Sequence, residues 1–257
     1  LDRVLHPARS CRIALVGKYA GLKDAYKSIF ESLSHSGIKL RTRVECEMIE
    51  SEDLEKSPEK LSEYDGVIVP GGFGSRGIEG KISALSYARA HGIPCLGICL
   101  GMQCMVIEFA RNALGLADAN STEFDPQTPH PVIDLMESQR GVRRKGGTMR
   151  LGAYPCAIAD STKTASLYGQ RKISERHRHR FEFNNRYRDA IEEGGLRIAG
   201  TSPDNSLVEI VELQGHPFYI GCQFHPEFLS RPFKAHPLFS GLAEAATQRG
   251  AASIHTK

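Results

Sequence analysis

The first half of the chain alternates strand-like and helix-like segments, and this order constrains the fold more than any other feature. Four segments have the length and patterning of strands, at residues 11–19, 39–49, 64–74 and 93–98. Three others have the spacing of amphipathic helices, at residues 24–37, 79–92 and 102–114. Strands that alternate with helices form a doubly wound, mainly parallel central sheet with helices on both faces. We therefore predict an α/β fold whose active site lies beyond the carboxyl ends of the strands.

The second half has short strands with few helices between them. Five strand-like segments lie at residues 146–159, 179–184, 196–202, 206–213 and 218–224. A closing helix is predicted at 236–248, and polar composition predicts loops at 51–62 and 138–147. We interpret residues 11–250 as one domain with additional short strands in its C-terminal half, preceded by a linker remnant at 1–10 and followed by a tail at 251–257.

Composition excludes several classes of protein. No apolar stretch approaches the roughly 20 residues that a membrane helix needs, so no membrane association is expected. The formal net charge of +3 on 257 residues is too small to indicate nucleic-acid binding by itself. The exception is the basic run RKISERHRHR at residues 171–180, which on its own is typical of a solvated edge.

The cysteines indicate a reducing compartment. There are seven, an odd number at scattered positions without a Cys-x-x-Cys, which does not favour a disulfide framework. Cys95, Cys99 and Cys104 lie close together, but their spacing matches no common zinc pattern, so no metal site is predicted. The sequence begins at Leu1 without a signal-peptide pattern, and we expect a piece of a longer, cytoplasmic polypeptide.

Cys99 lies where a predicted strand meets a predicted helix, in the stretch PCLGICLGMQ. A residue at such a junction turns sharply, and Gly97 and Gly101 remove side chains that would collide across the turn. This Gly-x-Cys-x-Gly pattern is typical of a nucleophile elbow. The dipole of a helix that starts near Met102 would favour the thiolate. A lone cysteine is more often a small buried hydrophobe, but the two glycines favour the nucleophile.

A base and its orienting group are found in GCQFHPEF, residues 221–228. Pro226 disfavours the helical region for His225, so the segment from His225 to Glu227 is predicted to be extended. Residues two apart in an extended segment project to the same side, so Glu227 could hydrogen-bond one imidazole nitrogen and leave the other for Cys99. By itself, the short string could equally be a surface turn.

Acyl transfer also needs donors for a developing oxyanion. The backbone N–H of Leu100, next after the nucleophile, is the usual first donor. Gly71 and Gly72 follow a buried strand, where bare backbone amides can approach a ligand, and are candidates for the second donor.

These residues carry a family resemblance. The strings GICLGMQ and FHPE resemble the Cys-His-Glu triad of class I glutamine amidotransferases. Four longer strings, VPGGFGSRGIEGK, NSTEFDP, GGTMRLG and ERHRHRFEFN, resemble the glutaminase domain of CTP synthase over about residues 11–245. Phe181 and Phe183 depart from that family, which often has Tyr and Val at these positions.

The resemblance implies a role for each of these positions. Cys99 forms a glutamyl thioester, His225 is the general base and acid, Glu227 orients it, and no metal takes part. Gly72 and Leu100 form the oxyanion hole. The implied glutamine-binding residues are Gly72, Phe73, Leu100, Gly101, Met102, Gln103, Glu123, Arg180 and Phe181. A carboxylate suits the α-ammonium group and a guanidinium the α-carboxylate, so the basic run is better explained as one substrate-binding strand.

The resemblance also implies partners. L-Glutamine is the substrate, and the ammonia is used by an N-terminal synthetase domain that is not in this sequence. That domain converts UTP to CTP with ATP and Mg²⁺, so this chain needs no cofactor of its own. The full-length enzyme is expected to be a homo-oligomer, a tetramer, that GTP activates. The glycine-rich stretch FGSRGIEG at 73–80, with Arg76, is then a candidate lid that GTP steadies.

Three other functions remain open at this point. An amidotransferase for another acceptor, such as a purine or chorismate pathway synthase, would share the triad but not the four longer strings. A catalytically idle regulatory module would be expected to lack the nucleophile. An RNA-binding domain would need exposed aromatics among its cations, and Phe181 and Phe183 are the candidates.

Overall fold

The computed structural model describes residues 6–18, 23–135 and 149–254. Within them the strands are β1 (Arg9–Gly17), β2 (Thr42–Glu50), β3 (Gly66–Val69), β4 (Cys95–Ile98), β5 (Ala119–Ser121), β6 (His130–Asp134), β7 (Arg150–Ile158), β8 (Lys172–His179), β9 (Glu182–Phe183), β10 (Leu196–Thr201), β11 (Val208–Leu213) and β12 (Tyr219–Cys222). The α-helices are α1 (Lys27–Leu40), α2 (Ile78–Ala90), α3 (Leu100–Asn112), α4 (Lys163–Tyr168), α5 (Arg188–Glu193) and α6 (Pro237–Ile254).

The central sheet is mixed, with a parallel half and an antiparallel half. Its nine strands run in the order β2-β1-β3-β4-β12-β11-β10-β7-β8. Pairing is parallel from β2 to β12 and antiparallel from β12 to β8. A smaller sheet joins β5, β6 and β9. The predicted α/β fold, with its mainly parallel core and extra strands in the C-terminal half, is confirmed.

Apolar side chains alternate between the two faces of the central strands. In β3, Val67 and Val69 join a buried cluster with α2 and α3, whereas Ile68 joins a second cluster with α1 and α6. The two-residue period of a strand places neighbouring side chains on opposite faces. Helices therefore cover both faces of the parallel half, as the alternation of elements predicts.

The structure corrects several local predictions. Residues 51–62, expected to be a loop, form 3₁₀ helices at Ser51–Glu55 and Pro58–Glu63, because buried Leu54 and Leu61 attach this polar segment to the core. The first helix begins at Lys27, after a 3₁₀ turn, and not at residue 24. Strands β5 and β6 and helices α4 and α5 were not predicted. The loop predicted at 138–147 lies outside the described residues.

None of the described helices is both long enough and apolar enough to cross a membrane.

Candidate active site

Three neighbouring parallel strands end at the same edge of the sheet, and one part of the site follows each of them. Strand β3 leads to Gly71 and Gly72, β4 leads to Cys99, and β12 leads to His225. The N–H of Cys99 donates to the carbonyl of Cys222 at 2.7 Å, which extends the β4–β12 pairing to the nucleophile. The site thus lies beyond the carboxyl ends of the strands, as predicted.

Cys99 has the strained backbone of an elbow, with φ 52° and ψ −103°. A Cβ at Gly97 would lie 2.8 Å from the Gly101 backbone, and a Cβ at Gly101 would lie 2.0 Å from the carbonyl oxygen of Val69. Both glycines are therefore required by close backbone approach, one across the turn and one against β3. The helix begins at Leu100, and not near Met102 as predicted, so Cys99 is its N-cap residue.

His225 and Glu227 form a partly buried pair. Nδ1 of His225 lies 2.7 Å from Oε1 of Glu227, and the ring stacks on Phe228 with centroids 5.2 Å apart. The predicted extended conformation is wrong, because Pro226–Phe228 form a 3₁₀ turn. Proline fits the first position of a helical turn, and this turn carries the carboxylate back to the imidazole. His225 itself stays non-helical, with φ −109° and ψ 87°.

The environment of His225 favours the imidazolium. Burial lowers the pKa of His225, but interaction with Cys99 and Glu227 outweighs it and raises that pKa to about 10. The side-chain atom Nε2 is buried and has no hydrogen-bond partner among the described residues. Nε2 is thus the nitrogen left for proton transfer, since Glu227 holds Nδ1.

The two cysteines nearest in sequence to Cys99 are fully buried. Cys95 and Cys104 have no exposed surface, and burial raises the pKa of both thiols, that of Cys104 to about 11. Neither has the access or the environment of a reactive thiol.

Bare backbone of the Gly71–Gly72 segment faces the reactive side chains. A Cβ at Gly71 would lie 2.9 Å from Cε1 of His225 and 3.6 Å from Cβ of Cys99, so only glycine fits beside the pair. Beneath the segment, the buried ammonium of Lys81 donates to the carbonyl of Pro70 at 3.2 Å. Burial lowers the pKa of Lys81 to about 8. This hydrogen bond fixes the segment whose N–H groups are available to an oxyanion.

Cys99 lies between two cavities that share Gly72, Phe73 and Arg178 in their linings. The larger cavity, about 190 Å³, is also lined by Gly71 and the His225–Glu227 pair. The smaller one, about 90 Å³, is also lined by Leu100, Gln103, Glu123, Met149, His179, Arg180 and Phe181. One cavity therefore carries the acid–base pair and the other carries a carboxylate and a guanidinium.

The smaller cavity is lined by seven of the nine residues that the sequence assigned to glutamine binding. Burial raises the pKa of Glu123, while a backbone hydrogen bond from Gly74 and the charges of Arg180 and Lys18 oppose that rise. Gly101 and Met102 are not among the described residues of this lining; they pack inside α3, against Val69 and Gly221.

Buried ion pairs hold the end of β8, which Arg180 directly follows. The Arg150 guanidinium bonds Glu182 at 3.2 Å and Glu209 at 2.8 Å. His179, the last residue of β8, lies 2.8 Å from the same Glu182 carboxylate. The histidines of the basic run thus face inward, whereas its exposed arginines alternate with them.

Sequence reasoning missed several residues of the site, two of which lie next to Cys99. Arg178 lines both cavities, and its guanidinium lies 5.6 Å from the centre of the Phe73 ring. Its strand position was visible, but nothing in the basic run distinguished it from Arg176. The other is Gln223, whose amide Nε2 lies 3.7 Å from the Cys99 sulfur.

The glycine-rich stretch 73–80 is shorter as a loop than predicted, because α2 begins at Ile78. A Cβ at Gly77 or Gly80 would collide with Ser51, so these two glycines serve close packing, and their presence does not indicate mobility. The start of the loop is held by Lys18, whose Nζ donates to the carbonyls of Phe73 and Gly74 at 3.1 Å each. Arg76 lies 3.9 Å from Glu52 and is not among the described residues that line either cavity.

The fold and this site agree with comparisons to known proteins. The family described as Glutamine amidotransferase class-I matches residues 21–245, and the chain belongs to that family.

Two relatives and one solved structure narrow the assignment. CTP synthases of Fibrobacter succinogenes and Chloroflexus aurantiacus are each 57% identical, over 97% and 96% of this chain. The Trypanosoma brucei CTPS glutaminase domain with bound acivicin is 38% identical with a TM-score of 0.87, covering 93% of this chain and 94% of that one. Within its family, the chain therefore groups with the glutaminase domains of CTP synthases. It spans 45% of the length of both CTP synthase relatives.

Proposed function

We propose that this chain hydrolyses L-glutamine to glutamate and ammonia through a thioester on Cys99. The observation that carries this proposal is the position of Cys99 between the two cavities. The His225–Glu227 pair lies on one side of the sulfur, and Glu123 and Arg180 lie on the other. A substrate with an amide at one end and an amino acid group at the other matches this arrangement.

The smaller cavity would hold the amino acid end. The Glu123 carboxylate suits the α-ammonium group, and the Arg180 guanidinium suits the α-carboxylate. Held in this way, the side-chain amide points to Cys99 and toward the larger cavity. Phe73, Leu100, Gln103 and Phe181 complete the described lining around the substrate.

In the first step, the Cys99 thiolate attacks the amide carbon and forms the carbon–sulfur bond. The N–H groups of Leu100 and Gly72 stabilise the oxyanion of the tetrahedral intermediate. His225 then gives its Nε2 proton to the leaving nitrogen, the carbon–nitrogen bond breaks, and ammonia departs.

In the second step, His225 must act as a base, and the structure gives a reason for the change of role. Two of the interactions that raise the pKa of His225 come from Cys99. Acylation removes the negative charge of the sulfur, so the pKa of His225 falls once the thioester has formed. Neutral His225 can then take a proton from water, which attacks the thioester and releases glutamate.

The whole protein is proposed to be a CTP synthase. Ammonia would pass to a synthetase domain that aminates UTP with ATP and Mg²⁺, outside this chain. Two findings support this proposal: the names of the relatives and the 45% of their length that the chain spans. We further propose a cytoplasmic homo-oligomer, a tetramer, with no cofactor bound by this chain. An amidotransferase for another acceptor is less well supported, because the identity to CTP synthases extends over 97% of the chain.

Glutamate release by the chain tests the proposed function. We expect incubation with L-glutamine to give glutamate and ammonia in equal amounts, measured by coupled assays for both products. L-Asparagine is the matched control: it is one methylene shorter, so an amide anchored at Glu123 and Arg180 would not reach Cys99. Equal turnover of the two amides, or none of either over hours, would contradict the proposal.

We also propose that the loop 73–77, with Arg76, is the element through which GTP acts. In the full-length enzyme, we expect Arg76→Ala to lose most of the GTP stimulation of glutamine-dependent synthesis while keeping ammonia-dependent synthesis. The half-exposed Arg76–Glu52 contact contributes little to stability, so the fold is expected to survive the change. The isolated domain is expected to be slow without GTP, because the effector would steady the loop 73–77 beside Gly72.

CTP formation from glutamine and from ammonium, each with and without GTP, is the measurement for Arg76→Ala. Arg43→Ala, at an exposed position on the edge strand β2, is the matched control. Unchanged GTP stimulation in the Arg76 variant would show that the loop has no part in activation.

A further inference from the structure

Gln223 is buried directly behind the nucleophile. It follows β12, its side chain has no exposed surface, and its Nε2 lies 3.7 Å from the Cys99 sulfur. A fully buried amide is expected to satisfy its donors and acceptors, and here a sulfur atom receives one of the donors.

The orientation of the Gln223 amide is fixed by a second amide and a backbone carbonyl. Gln103, on α3, donates from Nε2 to the carbonyl of Phe181 at 2.9 Å, and a carbonyl can only accept. The same Nε2 donates to Oε1 of Gln223 at 3.2 Å. Because an N–H donor faces Oε1, the NH₂ group of Gln223 must face the sulfur.

Three successive hydrogen bonds connect the substrate-binding segment to the sulfur. The carbonyl of Phe181, next to the proposed α-carboxylate ligand Arg180, orients the Gln103 amide. Gln103 in turn orients the Gln223 amide, which donates to Cys99. An N–H donor stabilises a thiolate more than a thiol, since hydrogen bonds to charged acceptors are about twice as strong.

We propose that Gln223 is a hydrogen-bond donor to the Cys99 thiolate, held in the donating orientation by Gln103 and the Phe181 carbonyl. The inference rests on the proposed glutaminase activity and adds a group that stabilises its nucleophile.

Charged groups from several elements also surround the sulfur. They are His225 and Glu227 after β12, Lys81 on α2, Arg178 on β8, and Glu123 and Arg180 across the smaller cavity. All of them are unchanged in the variants described next, so a shift in the reactivity of Cys99 reports on the amide.

Two substitutions separate the roles that Gln223 could have. Gln223→Met keeps the length and volume of the side chain but removes both hydrogen bonds. Gln223→Glu keeps an acceptor for Gln103 and, once its buried carboxyl has ionised, has no donor for the sulfur. If Gln223 only fills space, Gln223→Met should behave like the wild type. If Gln223 only holds Gln103, Gln223→Glu should behave like the wild type. If Gln223 donates to the thiolate, both variants should be impaired.

The readout is the rate of Cys99 alkylation by iodoacetamide as a function of pH, located by peptide mapping. We expect the alkylation midpoint of Gln223→Met to rise by about one pH unit, as loss of a charge-assisted hydrogen bond implies. We expect a larger rise for Gln223→Glu at pH values where its carboxyl is ionised, because a like charge then opposes the thiolate. In glutamine hydrolysis, kcat/KM should fall at neutral pH and partly recover at higher pH. Gln214→Glu, an exposed glutamine changed in the same way, should match the wild type.

A wild-type midpoint in Gln223→Met would overturn the proposal, even if KM for glutamine rose, because Gln223 would then act by packing or by holding Gln103 and not by donation to the sulfur. If Gln223→Glu does not fold, as judged by circular dichroism, Gln223→Met alone tests the proposal. Alkylation does not require glutamine turnover, so failure of this inference is distinguishable from failure of the proposed glutaminase activity.

Discussion

Cys99→Ser is expected to abolish glutamine hydrolysis while leaving the fold intact. A serine hydroxyl is isosteric with the thiol, but it offers His225 no thiolate to pair with. Loss of a nucleophile in a triad costs about 10⁶-fold in kcat. Steady-state glutamate release measures the loss, and a thermal melt within a few degrees of the wild type shows that the fold is retained.

Selective labelling is the companion measurement for Cys99. An alkylating glutamine analogue is expected to modify Cys99 and to spare Cys95 and Cys104, which have no exposed surface. Cys104→Ser is the matched control, since it removes a nearby thiol without touching the elbow. Labelling spread evenly over the three cysteines, or substantial hydrolysis by Cys99→Ser, would contradict the assignment of the nucleophile.

The site was predictable from sequence where the chemistry is local. The glycines on either side of Cys99 predict the elbow, and the structure confirms that a Cβ at Gly97 or Gly101 would collide with backbone atoms. The alternation of strands and helices predicted the parallel part of the sheet that contains β3 and β4. Strands β5 and β6 were missed because three to five residues carry too little periodicity to be distinguished from loop.

Contacts that depend on tertiary packing were not predictable. Gln223 and Gln103 are 120 residues apart, and only the packing of β12 beside β4 brings their amides together. The pairing of His225 with Glu227 was predicted, but from an extended segment, whereas the structure has a 3₁₀ turn at Pro226–Phe228. The sequence argument restricted His225 through Pro226 and overlooked that proline itself begins a helical turn readily.

Substitutions of His225 and Glu227 are expected to give the second large effect on kcat, and the two losses should differ in size. His225→Ala is expected to lose about 10⁶-fold in kcat, whereas Glu227→Gln is expected to lose about 10⁴-fold or less, following the usual ranking of a base and its orienting carboxylate. A glutamine amide oxygen at the position of Oε1, 2.7 Å from Nδ1, still accepts the imidazole proton. The ring orientation is then kept while the negative charge is lost.

The pH profile separates these two contributions. Because Glu227 helps to raise the pKa of His225 to about 10, the imidazolium persists until the pH rises through that value. We expect the alkaline limb of kcat/KM near that pH in the wild type. Removing the carboxylate charge lowers the pKa of His225, so the limb of Glu227→Gln should move to lower pH. Glu244→Gln, on α6, is the control for charge alone. Equal kinetics for His225→Ala and Glu227→Gln, or an unmoved alkaline limb, would mean that the carboxylate does not act through the histidine.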